Sequence, residues 1–120
     1  MGEKKIFFVD DNITNLLIGK NALKDHFQTF TMPSAAKMFE LLEKVKPDAI
    51  LLDIEMPEMS GYEAMEKLKA SEYKNIPVLF VTGNENTEDE QKGLSMGAKG
   101  YIRKPFSNED LIGKIEKLFS

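Results

Sequence analysis

Ala49-Ile50-Leu51-Leu52-Asp53 is an unbroken apolar run closed by an acid, and Ile54-Glu55-Met56-Pro57-Glu58-Met59-Ser60-Gly61 carries the chain from it into a second kind of pattern. A short apolar run without alternation predicts a strand buried on both faces, as in the interior of a parallel sheet. Ser60 followed by Glu63 is a capping-box pair, a hydroxyl that accepts from the helix's first turn and an acid that reaches back, so a helix is expected to open there. Strand, turn and helix in this order form one half of a βαβ unit.

The same grammar recurs on either side. Ile6-Phe7-Phe8-Val9 runs into Asp10, and Val78-Leu79-Phe80-Val81 runs into Thr82. Gly100-Tyr101-Ile102 supplies a shorter strand, and the alternation of Gln28-Thr29-Phe30-Thr31 fits an edge strand. Helical spacing fills the gaps. A first helix is expected from about Asn12 to His26 with Ile13, Leu16, Leu17 and Leu23 inward, and a second from about Pro33 to Val45 with Ala35, Met38, Leu41, Leu42 and Val45 inward. Pro47 stops the second, because proline disfavours helical geometry in the residue before it. Thr87 with Glu90 and Ser107 with Asp110 repeat the capping pattern and open two further helices, the last turning Leu111, Ile112, Ile115 and Leu118 inward. Five alternations with short connections predict right-handed crossovers and a doubly wound α/β domain, a parallel sheet covered on both faces.

Length and charge bound the functional classes. The 120 residues suit one domain, expected to span 1–120, and no output domain is expected within them. With 16 Lys plus Arg against 20 Asp plus Glu, the formal charge is -4, and no basic stripe is present, so direct nucleic-acid binding is not expected. The sequence has no Cys, which excludes thiolate chemistry and fits a reducing compartment. No apolar stretch approaches the roughly 18 residues needed to cross a bilayer, so the expected location is the cytoplasm.

In open parallel sheets, sites form beyond the carboxyl ends of the strands. Asp10 and Asp11 follow the first strand, Asp53 ends the third, Thr82 ends the fourth and Lys104 follows the fifth, so all five are expected at one crevice. Clustered carboxylates either take up a proton or gather round a cation, and hard oxygen ligands suit Mg²⁺. Mg²⁺ bound by so few carboxylates is readily completed by phosphate oxygens, which makes Asp53 a candidate nucleophile toward phosphorus, with Lys104 at the phosphoryl oxygens and Thr82 donating a hydrogen bond. Singly, each residue has a plainer reading, a turn former or a solvated lysine. His26, the only histidine, is assigned no chemistry.

Asp53-Ile54-Glu55-Met56-Pro57-Glu58-Met59-Ser60-Gly61 closely resembles the phospho-acceptor signature of the receiver domains of two-component response regulators. Phe8-Val9-Asp10-Asp11-Asn12 is similar to that family's acidic pair, Val81-Thr82-Gly83 to its hydroxyl position, and Lys104-Pro105-Phe106 to its lysine-proline step, so the resemblance spans essentially the whole chain. It implies a flavodoxin-like sheet in the order 2-1-3-4-5 with five helices, and a cis peptide before Pro105. It further implies that Asp53 accepts a phosphoryl group and that Asp11 and Asp53 ligate Mg²⁺ (or Mn²⁺) by side chain, with Asp10 helping through water and Glu55 through its backbone carbonyl. Gly83 is implied as a backbone donor to the phosphoryl group, and Thr82 and Tyr101 as the switch that alters the face made by the fourth helix, fifth strand and fifth helix. The fourth helix, about Thr87 to Met96, has few large apolar residues, Leu94 and Met96, with Gly93 inside it and Gly97 at its end, which suits movement.

The implied partners are a sensor histidine kinase or phosphotransfer protein, docking near the first helix around Asn15, and a downstream effector, and a phosphorylation-dependent dimer is compatible with the resemblance. The implied setting is bacterial phosphorelay signalling, with no enzymatic activity beyond the domain's own phosphorylation and dephosphorylation. Three positions depart from the family's common pattern: Gly83 stands in place of alanine, while Glu55 and Asn84 occupy positions that tune phosphoryl lifetime. Two rivals are weaker. A haloacid-dehalogenase-type phosphohydrolase shares the aspartate, metal, hydroxyl and lysine, but its signature needs a second Asp where this chain has Glu55, and its acidic pair follows the lysine. A receiver-like interaction module that is never phosphorylated is expected to lack the acceptor or the acidic pair, and both are present.

Overall fold

The computed structural model describes residues 3–83 and 87–120, and side chains outside 84–90. Asn84 and the Thr87–Glu90 cap therefore lie outside the described residues or side chains. Strands and helices alternate in the order β1 (Lys5–Val9), α1 (Ile13–Leu23), β2 (Gln28–Met32), α2 (Ala35–Leu42), β3 (Ala49–Asp53), α3 (Gly61–Lys69), β4 (Val78–Thr82), α4 (Thr87–Ser95), β5 (Gly100–Arg103) and α5 (Asn108–Phe119). The sheet has the order β2-β1-β3-β4-β5, and every pairing is parallel. Among the described residues, no helix is long and apolar enough to cross a membrane.

Pleating divides each strand between two cores, which is why the runs are wholly apolar. Phe7, Val9, Ile50, Leu52 and Phe80 point to the side covered by Met38 and Leu42 of α2 and by Ala64, Met65 and Leu68 of α3. Ile6, Phe8, Ala49, Leu51, Leu79 and Val81 point to the other, under Leu16 and Leu23 of α1 and Leu111 and Ile115 of α5. Both predicted caps among the described residues form: Ser60 Oγ accepts from Glu63 N–H at 3.2 Å while Glu63 Oε1 accepts from Ser60 N–H at 3.1 Å, and Ser107 Oγ accepts from Asp110 N–H at 3.0 Å.

Two helices differ from expectation. α2 begins only at Ala35, because Ser34 caps it by accepting from Lys37 N–H, and regular helix ends at Leu42, short of Val45. In α1 the inward face is Leu16, Gly19, Ala22 and Leu23, whereas Ile13 and Leu17 are 69% and 58% exposed. The reason is Gly19. A Cβ there would strike the Phe8 ring, so the helix lies close to β1 along its smallest residues, and the large side chains at Ile13 and Leu17 rotate outward.

Candidate functional site

The parallel ladder runs past the strand ends and fixes the loops that carry the polar residues. Asp10 N–H donates to Met32 O at 3.2 Å, Ile54 N–H to Val81 O at 3.2 Å, and Lys104 N–H to Thr82 O at 2.8 Å. The Lys104–Pro105 peptide is cis, as expected. After β3 the chain turns sharply: Glu58 has a left-handed φ of 68°, and Gly61 N–H donates to Ile54 O at 2.8 Å. A Cβ on Gly61 would meet Asp53 O and lie 2.8 Å from Ile54 Cα, so only glycine lets α3 start directly against the loop it leaves.

These constraints bring the charged groups together. Asp10 is fully buried, Asp53 is 3% exposed, and Asp11 stands in solvent at the rim, yet one carboxylate oxygen from each lies within 4.8 Å of the others. Lys104 Nζ bridges two of them, 3.0 Å from Asp10 Oδ2 and 3.1 Å from Asp53 Oδ1. Asp10 Oδ1 accepts from Asn12 N–H at 2.9 Å, and Asp10 Oδ2 also accepts from Asn15 Nδ2 at 3.3 Å. A cavity of about 250 Å³ opens over the cluster, bounded by the three aspartates and Lys104 together with Asn12, Asn15, Glu55 and Gly83.

The electrostatics are unbalanced. Burial raises the Asp53 carboxyl to about 6, and repulsion from Asp10 adds to it, against the opposing pull of Lys104. Burial alone would lower the Lys104 ammonium, but its hydrogen bonds and charge interactions with Asp10 and Asp53 outweigh that and hold it above its ordinary value. Three acids against one ammonium leave the cluster short of positive charge. Carboxylates so placed form a donor set for a hard divalent cation, with room in the cavity for phosphate oxygens.

Four of the five strand-end residues singled out in the sequence, Asp10, Asp11, Asp53 and Lys104, thus border one cavity. Thr82 is buried beside it at the end of β4 but is not among the residues that line it. Tyr101 lies farther along, 8% exposed, its ring 5.7 Å from that of Phe80. His26 is exposed and does not line the cavity, its ring tilted 6.3 Å from that of Phe27. Asn15 was legible only as a first-helix residue; its donation into Asp10 depends on the turn that Asn12 caps, where Asn12 Oδ1 accepts from Asn15 N–H at 3.1 Å.

The family model of the response regulator receiver domain matches residues 6–116. The chain belongs to that family. The receiver is 40% identical over 103 residues to a probable cyclic di-GMP phosphodiesterase of Vibrio cholerae, an overlap of 85% of this chain and 23% of that protein. It is 36% identical over 118 residues to the sensor histidine kinase CheAY of Helicobacter pylori, covering 93% of this chain and 14% of the other. This receiver therefore spans less than a quarter of the length of either of these curated relatives. Among solved structures, the chemotaxis protein CheY4 of Vibrio cholerae superposes with a TM-score of 0.90 at 29% identity, over 97% of this chain and 98% of that one. Membership places the receiver in two-component signalling.

Proposed function

We propose that this receiver takes a phosphoryl group onto Asp53 from a phosphohistidine of a histidine kinase or phosphotransfer protein. The observation that carries this reading is the convergence of Asp10, Asp11 and Asp53 at one open cavity in which Lys104 bridges Asp10 and Asp53. An Asp53 oxygen attacks phosphorus, an O–P bond forms as the P–N bond breaks, and the electron pair leaves with the donor imidazole, which ends neutral because its other ring nitrogen carries a proton. Such transfers need positioning and charge stabilisation more than covalent help. Lys104 is within reach to turn from Asp53 Oδ1 to the phosphoryl oxygens, while the Thr82 hydroxyl and the Gly83 N–H donate to the same group. Mg²⁺ fits the donor set of Asp11, Asp53, the Glu55 carbonyl and, through water, Asp10, and when bound it would offset the negative charge of the phosphoryl oxygens.

Two surfaces fit the partners. Ile13, Leu17 and Ile18 stand 69%, 58% and 46% exposed on α1, the helix whose Asn15 borders the cavity, and they suit an apolar helix presenting its histidine to Asp53. The output face is α4, β5 and α5, where a groove of about 620 Å³ lies over Tyr101, Lys114 and Lys117 and suits an effector. The domain works in the cytoplasm and catalyses nothing beyond its own phosphorylation and dephosphorylation.

Incubation with acetyl phosphate and Mg²⁺ followed by intact mass tests the central claim. One added phosphoryl is expected, lost in Asp53→Ala and on chelation. No adduct in the wild type under any condition would refute the acceptor role.

A further inference from the structure

Asp10 is enclosed on all sides, and both of its oxygens already have protein donors. Asn12 N–H serves Oδ1, while Oδ2 is shared by Lys104 Nζ at 3.0 Å and Asn15 Nδ2 at 3.3 Å. The ammonium is a divided partner, since it also holds Asp53 Oδ1 at 3.1 Å. A phosphoryl group on Asp53 brings new anionic oxygens that compete for it. Once Lys104 turns to them, Asp10 Oδ2 loses its charged donor, and a buried acceptor left without one is costly.

Asn15 is the donor that stays. Its amide is neutral, so phosphoryl oxygens draw it far less than they draw an ammonium. Its backbone is pinned, because Asn15 N–H donates to the Asn12 cap. The cap uses the backbone of Asn15 and the amide uses its side chain, so the two roles are separable by substitution.

We infer that Asn15 is a positioning residue: its side-chain amide holds Asp10 Oδ2 in place, keeping the carboxylate oriented toward the cation and releasing Lys104 to serve Asp53. The part about Lys104 rests on the phosphotransfer reading above; the hold on Asp10 does not.

The full chain with Asn15→Ala, Asn15→Leu and Asn15→Gln separates the possibilities. Mg²⁺ titrations followed by the amide resonances of Asp11, Asn12 and Ile54 should show binding about tenfold weaker in the Ala and Leu variants, the usual scale for losing a group that orients a metal ligand. Phosphorylation by acetyl phosphate at limiting Mg²⁺ should slow at least as much. Gln, which keeps the amide on a longer arm, should recover part of both. Melting in chelator should stay close to the wild type in Ala and Leu, because the lost hydrogen bond to Asp10 is set against their better helix propensity and Lys104 still serves Oδ2. Unchanged Mg²⁺ midpoints in Ala and Leu would overturn the inference, as would a Gln variant no better than Leu. If the wild type binds Mg²⁺ but takes no phosphoryl group, the phosphotransfer reading fails while the Mg²⁺ midpoints still decide the role of Asn15. A wild type that is phosphorylated, with Asn15→Ala matching it in midpoint and rate, leaves that reading standing and removes this one. A wild type with no Mg²⁺ response removes both.

Discussion

Asp53 is the residue at which the fold works against itself. Its carboxyl is buried beside Asp10 and titrates near 6, above the usual unfolded value of about 3.9. Between those two values the folded state holds a proton that the unfolded state has released, so stability falls as pH rises through the window. Above about 6 the full penalty applies, on the order of 3 kcal/mol. Asp53→Asn removes the charge but keeps an acceptor for Lys104. Without metal it should melt several degrees above the wild type at pH 7.5, and the gap should close as pH is lowered toward 4.5. Mg²⁺ should also narrow the gap, because the cation supplies the missing positive charge to the wild type. A gap that ignored pH would show that burial of the carboxylate is not what limits stability.

At the scale of elements, α4 is set by what it lacks. Tyr62, Phe80 and Tyr101 form a row with ring centroids 5.5 and 5.7 Å apart, and Lys92 Nζ lies 4.5 Å over the Tyr62 ring. Next to it, a Cβ at Gly93 would strike the Tyr101 hydroxyl and come within 2.8 Å of the Phe80 ring. Gly93→Ala gains about 1 kcal/mol of helix propensity but meets an overpacked contact costing roughly 1–3 kcal/mol, so a net loss of stability is expected, with a displaced Tyr101 ring in its proton spectrum. Gly113 of α5 is the control: nothing lies within 4 Å of a Cβ there, and Gly113→Ala should stabilise by up to about 1 kcal/mol. If both alanines stabilise, α4 is not seated on Tyr101. Glycines also mark where the sequence stopped being readable. Ile6–Val9, Ala49–Leu52 and Val78–Val81 announce strands because burial on both faces leaves no polar position, and the acids and lysine just beyond them announce the site. The strand order, by contrast, came from resemblance to a family. The inward face of α1 is not legible in apolar bulk, because Gly19 and Ala22, two of the four residues on its buried face, have little. Asn15 was hidden for a related reason, since its partner is reached only after a capped turn brings it back over Asp10.

Across the whole molecule, the cavity and the proposed output face sit on adjacent strands. β4 carries both Phe80 of the aromatic row and buried Thr82 at its end, and Thr82 O accepts from the N–H of Lys104, which reaches Asp53. β5 pairs with it so that Phe80 faces Tyr101 and Thr82 faces Arg103. A group bound at Asp53 that draws the Thr82 hydroxyl would therefore open or close space one pleat away from Tyr101 and beneath α4. Coupling of this kind requires a two-state element that both sites bias, and α4 with Tyr101 is the candidate. With Mg²⁺ and beryllofluoride as a phosphoryl mimic, amide shifts should change at Asp11, Ile54, Gly83, along α4 and at Tyr101. Thr82→Ala should keep the response at Asp11 and Ile54, whose position does not depend on the hydroxyl, and lose more than half of it at α4 and Tyr101. An undiminished response there would mean that the signal reaches the output face without Thr82, through the Lys104 loop and β5 instead.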